Sequence, residues 1–318
     1  MTIQTTIKQH DRYEGAMLGV AVGDALGAPL EFMTAEEIRR KYGGPVTEMI
    51  GGGWLSVEPG EVTDDTQMTL AVAEGIAETN GNTPMLQIGE NFLTWYKTHP
   101  KDVGSTCAAV LEEMSKKQRE YSDEWFETAH RLYVRTNGWT GGNGALMRTV
   151  YPALWYKNTS KAAGRAIQIG QMTHWNPASD EMIRIYTQTI CRIVNSEKSD
   201  EDARQELDKL TVKPSQPTGF CVDSLMCALE SIIRTSSFEE ALIDAVNRGG
   251  DADTIGAITG GLAGAIYGAS AIPLRWLNAL DNEPNKRTVQ MFHRGEMPSG
   301  NALLIRLTDL AHRAYEQK

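Results

Sequence analysis

Two short acidic segments hold the residues best suited to chemistry. Arg248-Gly249-Gly250-Asp251-Ala252-Asp253-Thr254-Ile255-Gly256 sets carboxylates at i and i+2, with a hydroxyl behind them, on a backbone freed by two glycines. Thr63-Asp64-Asp65-Thr66-Gln67-Met68 sets two adjacent carboxylates between hydroxyls. Either segment alone also reads as a helix cap, because an Asp at a helix start meets free amides and a favourable dipole. Taken together they supply hard oxygen donors of the kind divalent cations take. Magnesium or manganese suits them better than zinc, since no His or Cys lies close in sequence. An EF-hand fails, because position 5 would be Ile255 and position 12 Leu262.

Other segments carry weaker signals. Glu31 follows Pro29 on a turn between apolar neighbours, where a buried carboxylate needs a partner. Asp24, seven residues earlier, either orients a ligand or caps the helix end. The loop Thr140-Gly141-Gly142-Asn143-Gly144 can wrap an anion with backbone amides or be a plain turn; it is neither a Walker loop nor a dinucleotide fingerprint. His174 and Asp102 sit between helices, with structural and capping roles as the ordinary alternatives. Trp54 offers a face for a guanidinium, though a buried core ring is the simpler reading.

If Glu31, Asp64, Asp65, Asp251 and Asp253 meet, their mutual repulsion is large. Half of the ten pairs near 4 Å, at ~4 kcal/mol each, gives roughly 20 kcal/mol. A folded domain has only about 5–15 kcal/mol in hand. Such a cluster must bind cations or take up protons.

The elements that position these residues are helical. Apolar residues recur at helical spacing over Asp11–Leu26, Thr66–Glu78, Pro84–Lys97, Thr106–Arg119, Asp123–Arg135, Gly144–Tyr156, Lys161–Thr173, Ser179–Asn195, Asp200–Leu210, Val222–Arg234, Phe238–Asn247, Ala257–Gly268 and Ala302–Tyr315. An Asp64-x-x-Gln67 pattern suits a helix start, Asn282–Asn285 reads as a turn, and period-two strands are missing. The reading is one all-α domain over 1–318, with its core at about 11–280. Gly15, Gly19, Gly23 and Gly27 form one column, and Gly256, Gly260, Gly264 and Gly268 another. Interior glycines cost roughly 0.5–1 kcal/mol each, so two columns predict a close backbone approach between two helices.

The composition narrows the function. A net charge of −10 over 318 residues argues against a nucleic-acid binder. The most apolar stretch, Ile255–Tyr267, is too short to span a bilayer, and the polar start lacks a signal-peptide core. Cys107, Cys191, Cys221 and Cys227 show no paired spacing and read as reduced thiols of a cytoplasmic protein.

The combination resembles the ADP-ribosylglycohydrolase family, nearest its dinitrogenase reductase-activating branch. The matching pieces are Gly23-Asp24-Ala25-Leu26-Gly27 with Glu31, Gly51-Gly52-Gly53-Trp54-Leu55, Thr63-Asp64-Asp65-Thr66, Asp102-Val103-Gly104, Gly142-Asn143-Gly144-Ala145 with Met147-Arg148, Thr173-His174, and Gly249-Gly250-Asp251-Ala252-Asp253-Thr254. The resemblance implies a compact orthogonal multi-helix domain with a binuclear metal cleft. It implies that Glu31, Thr63, Asp64, Asp65, Asp251, Asp253 and Thr254 ligate two divalent cations, magnesium or manganese. It implies Asp102, with Asp65 as the other candidate, as the catalytic carboxylate. Gly104, Gly142, Asn143, Gly144, His174 and Phe220 are implied to hold ADP-ribose. The expected activity is removal of ADP-ribose from arginine on a modified protein, by a monomer. Other ADP-ribosyl conjugates, or a non-catalytic ADP-ribose binder or toxin-immunity protein, are the alternatives.

Overall fold

At the centre of the computed structural model lie two helices packed backbone against backbone. The structure describes residues 8–117, 123–196 and 203–317. Among these there are α1 (Gln9–Gly27), α2 (Ala35–Tyr42), α3 (Asp64–Glu78), α4 (Met85–Tyr96), α5 (Ser105–Ser115), α6 (Asp123–Arg135), α7 (Val150–Trp155), α8 (Thr159–Gln171), α9 (Pro177–Val194), α10 (Cys221–Arg234), α11 (Phe238–Val246), α12 (Ala252–Tyr267), α13 (Leu274–Ala279), α14 (Glu283–Phe292) and α15 (Ala302–Glu316). No sheet forms among the described residues; isolated bridges join Thr34 to Gly249, Gly52 to Val57 and Gly142 to Phe220. The domain is all-α.

Every residue of α12 is buried, and α1 is buried from Arg12 onward except at Glu14. The glycine columns explain how two such helices fit together. A Cβ added at Gly15, Gly19, Gly23 or Gly27 would overlap the carbonyl oxygen of Gly264, Gly260, Gly256 or Ala252 in turn. The pairing is antiparallel, so the C-terminal end of α1 and the N-terminal end of α12 lie together. That single geometric fact brings Glu31 beside Asp251 and Asp253. At the opposite end Arg12 donates to the carbonyls of Ala265 and Ile266, serving the last turn of α12.

Several local expectations are corrected. Thr63, not Asp64, is the N-cap of α3, which leaves both aspartates free for other work. The expected helix over Gly144–Tyr156 is a 3₁₀ turn at Asn143–Ala145 followed by α7. Pro152 explains the late start, because in the first turn its missing N–H leaves no acceptor unserved. The turn at Asn282–Asn285 is the start of α14, with the Asn282 side chain accepting from Asn285 N at 2.9 Å. Asp200–Leu210 falls partly outside the described residues; within them there is a 3₁₀ turn at Leu207–Lys209. All four cysteines are buried and unbridged.

Candidate metal centre and substrate cleft

Two loops far apart in sequence are stitched together to make the site. Phe32 N donates to Gly250 O and Gly250 N to Met33 O, both at 2.7 Å. Gly249 and Gly250 have φ of 74° and 64°, and a Cβ on them would strike the Met33 and Pro217 carbonyls. The pairing therefore demands glycine twice over. It fixes Glu31, at the turn after α1, against the acidic start of α12.

Asp24 performs neither of the roles its position suggested. It is fully buried on α1 and accepts from Thr63 N (3.1 Å), Thr63 Oγ1 (2.8 Å), Thr66 N (3.0 Å) and Thr66 Oγ1 (2.5 Å). It thus caps α3 from a neighbouring helix and aims Asp64 and Asp65 inward. Burial pushes its carboxyl up to about 6, against the pull of the Thr66 and Thr63 hydrogen bonds.

The predicted carboxylates converge. Glu31, Asp102 and Asp253 present oxygens within 4.8 Å of one another. Asp64 lies beside Asp102, close enough for each carboxyl to influence the other's charge. Thr254 Oγ1 lies 3.3 Å from Asp65 Oδ2, and Thr63 Oγ1 lies 3.4 Å from the same oxygen. Asp251, at the N-cap position of α12, makes no side-chain cap and instead accepts from Asn143 Nδ2 at 2.9 Å. Asp253 Oδ1 accepts from Thr254 N at 2.8 Å. Asp102 belongs with this cluster by position, whereas the sequence offered capping for it and the resemblance a catalytic role.

Such crowding has an electrostatic consequence. Burial, with Asp102 and Asp251 adding repulsion, pushes Glu31 up to about 8 against the pull of Trp54 Nε1, which donates to Glu31 Oε2 at 2.5 Å. Burial first, then neighbouring carboxylates, hold Asp64, Asp65 and Asp253 well above the usual range. Asp102 is raised as well, chiefly by burial. Asp65 Oδ1 is buried without a hydrogen-bond partner. An orphaned carboxylate oxygen amid oxygen donors is what a hard divalent cation would satisfy, so the donor set fits one.

A pH dependence follows. Raised folded pKa values mean that, with no cation bound, these groups favour the fold while protonated. That stability is complete below the unfolded carboxylate values near 4 and is lost as pH rises through the folded values, up to about 8 for Glu31. Thermal melts in EDTA should fall from pH 5 to pH 8.5, and added magnesium or manganese should flatten the slope. A melting temperature in EDTA that rises over this range would contradict the cluster.

Beside the cluster opens a cleft of about 220 Å³, whose wall includes Glu31, Asp64, Asp102, Asp251 and Thr254 from the acidic segments. Gly104, Gly142, Asn143, Gly144 and His174 are part of the same wall. Thr63, Asp65 and Asp253 stand behind that wall, nearly inaccessible. The glycine loop is held by Asn143 N donating to Gly219 O and Cys221 N donating to Gly141 O, both at 3.0 Å. Asn143 Nδ2 also donates to Ser224 Oγ at 2.9 Å. Phe220, 43% exposed, sits beside Gly141, outside the residues that line the cleft. Trp54 is 52% exposed rather than a core ring and leans on Phe32, ring centroids 5.3 Å apart. The sequence gave no sign of the Trp54–Glu31 bond, which joins side chains 23 residues apart.

The chain is similar along most of its length to known proteins. The family model for ADP-ribosylglycohydrolase matches residues 5–314. ADP-ribosyl-[dinitrogen reductase] glycohydrolase of Rhodospirillum rubrum is 37% identical over 282 residues, covering 86% of this chain and 91% of that one. ADP-ribosylarginine hydrolase Tri1 of Serratia proteamaculans is 28% identical over 293 residues, covering 85% and 75%. A solved structure of an ADP-ribosylglycohydrolase-related protein complex superposes with a TM-score of 0.74 at 28% identity, over 97% of this chain and 98% of that one. Among the described residues no helix is long and apolar enough to cross a membrane. With its acidic motifs gathered at one cleft and matched along nearly its whole length, the chain belongs to the ADP-ribosylglycohydrolase family.

Proposed function

We propose that the protein hydrolyses the bond between ADP-ribose and an arginine side chain of a modified protein, and that it needs divalent cations, magnesium or manganese, to do so. The observation that carries this reading is the meeting of Glu31, Asp102 and Asp253 oxygens within 4.8 Å, beside a cleft that Glu31 and Asp102 line together with a glycine loop. Glu31, Asp64, Asp65, Asp251 and Asp253, with the Thr63 and Thr254 hydroxyls, would hold two cations. Bound there, they would fix ribose hydroxyls and stabilise charge at the reacting centre.

The remaining work falls to the chain itself. The glycine loop and Gly104 flank the space for the pyrophosphate, His174 faces it, and Phe220 offers its exposed ring to the adenine. Asp102 accepts the proton of a water whose oxygen attacks the anomeric carbon as the carbon–nitrogen bond breaks. The departing guanidine nitrogen takes the proton that Asp102 received, which returns the carboxylate to its starting state. Asp102 suits that task better than Asp65, because it is half-buried in the cleft wall whereas Asp65 is 1% exposed behind it. The electron-poor sugar ring formed on the way resembles that of other glycoside hydrolyses, where carboxylates manage the proton and charge. The exposed faces of Trp54 and Phe32 beside Glu31 provide an aromatic surface for the leaving guanidinium.

Similarity to the Rhodospirillum rubrum glycohydrolase supports ADP-ribosylated dinitrogen reductase as one target. The test is incubation with protein carrying ADP-ribosylarginine, in magnesium or manganese, with a parallel sample in EDTA. Release of ADP-ribose only in the metal-loaded sample is expected. Release from a serine-linked conjugate but not from the arginine-linked one would overturn the proposed leaving group. No release from any conjugate by metal-loaded protein would overturn the activity.

A further inference from the structure

Behind the cleft lies a fully buried cation that the proposed chemistry does not use. Arg148 is 0% exposed, and its guanidinium stacks on Phe92 at 4.7 Å. It donates to Ile169 O at 3.2 Å and to Thr173 Oγ1 at 2.6 Å. Thr173 Oγ1 in turn lies 2.7 Å from His174 Nδ1. A desolvated guanidinium held without a paired carboxylate is costly to the fold, so its retention needs a reason.

We infer that Arg148 and Thr173 form a relay that fixes His174 in its Nε2–H tautomer, making the ring a hydrogen-bond donor into the cleft. The argument is one of donors and acceptors. A guanidinium has no acceptor, so Arg148 donates and Thr173 Oγ1 accepts. The single hydroxyl proton of Thr173 is then free for an acceptor of its own. Its choices are the imidazole nitrogen at 2.7 Å and the neighbouring thiol of Cys107, a weak acceptor. The proton goes to Nδ1, so Nδ1 carries the lone pair and Nε2 the hydrogen. The nearby positive charge favours the same arrangement, since it attracts a lone pair and repels an N–H. It also joins burial in pushing the imidazole down to about 3, which keeps the ring neutral.

What Nε2 faces completes the case. A Cβ at Gly142 or Gly144 would come within 3.4 Å of Nε2, so the glycine loop leaves space in front of it. A ring with Nε2–H there donates to an oxygen acceptor such as a phosphate or ribose oxygen and rejects a ligand N–H. Arg148 and Thr173 are therefore positioning residues that decide what the cleft accepts. This inference rests on the proposed ADP-ribose reading for the identity of the ligand, while the tautomer stands independently of it.

The experiment pairs a spectroscopic readout with binding. Long-range proton–nitrogen NMR of histidine-labelled protein, with His174 assigned through His174→Gln, is expected to show Nε2 protonated and Nδ1 bare in the wild type. Thr173→Val keeps the shape but removes the hydroxyl. It should mix the tautomers and weaken ADP-ribose binding by about tenfold, the scale of one lost hydrogen bond to a charged ligand. Thr173→Ser should restore both. A wild-type spectrum with Nδ1 protonated would overturn the relay even if no variant folds. So would Thr173→Val with the wild-type tautomer and affinity. A wild-type protein with the Nε2–H tautomer but no affinity for ADP-ribose would sink the functional reading and leave the relay intact.

Discussion

Asp102→Asn should lower the rate of ADP-ribose release by about 10²–10⁴-fold, the range that a positioned proton acceptor contributes. The replacement keeps size and shape while removing the ability to take a proton. Asp102 is well placed for that step, at the cleft wall beside Asp64. The geometry also raises a sharper question. Its oxygens approach those of Glu31 and Asp253 closely enough to share a cation. Calorimetric titration with manganese separates the two roles. Unchanged manganese affinity with lost turnover fits a base; affinity that falls together with turnover would make Asp102 a ligand and move the proton step elsewhere.

The second large effect concerns the fold. Gly260→Val should leave no soluble folded protein, and Gly260→Ala should cost at least about 3 kcal/mol, at the top of the usual range for overpacking. The sign is not obvious in advance, because alanine in a helix normally gains roughly 0.5–1 kcal/mol over glycine. Here the added methyl would overlap the backbone carbonyl of Gly19, which cannot swing aside as a side chain can. Gly164→Ala on α8 is the control. It sits exposed with nothing near its missing methyl, so the same change should stabilise by the helix-propensity difference alone. Urea melts of the two variants should move in opposite directions. Equal and small shifts would mean that the two central helices have room to part.

The glycine columns were legible because a spacing of four is a local pattern with a physical cost, and cost implies purpose. The acidic motifs were legible for a related reason. Asp64-Asp65 and Asp251-Ala252-Asp253 each exceed what a cap requires, and the structure shows that none of the four is used as one. Asp24 was noticed without its role being readable, because its partners Thr63 and Thr66 lie 39 and 42 residues away. Trp54 misled for a similar reason. Hydrophobicity favours burial, but the bond to Glu31 holds the ring at the surface. α14 went unseen because Asn282-Glu283-Pro284 read as a turn, whereas proline in a first turn is also how helices begin. The Arg148–Thr173–His174 chain had no sequence signature beyond the adjacency of its last two members.

The antiparallel seating of α1 on α12 has a consequence for how the protein is made. α1 leaves the ribosome well before α12, and the surface it must cover is translated about 225 residues later. At ordinary elongation speeds that is a delay on the order of ten to forty seconds. During it, an apolar helix with carboxylates at its end has nothing to dock on. The nascent chain should therefore engage holding chaperones through its first helix, and truncation before α12 should yield aggregates instead of a smaller working enzyme.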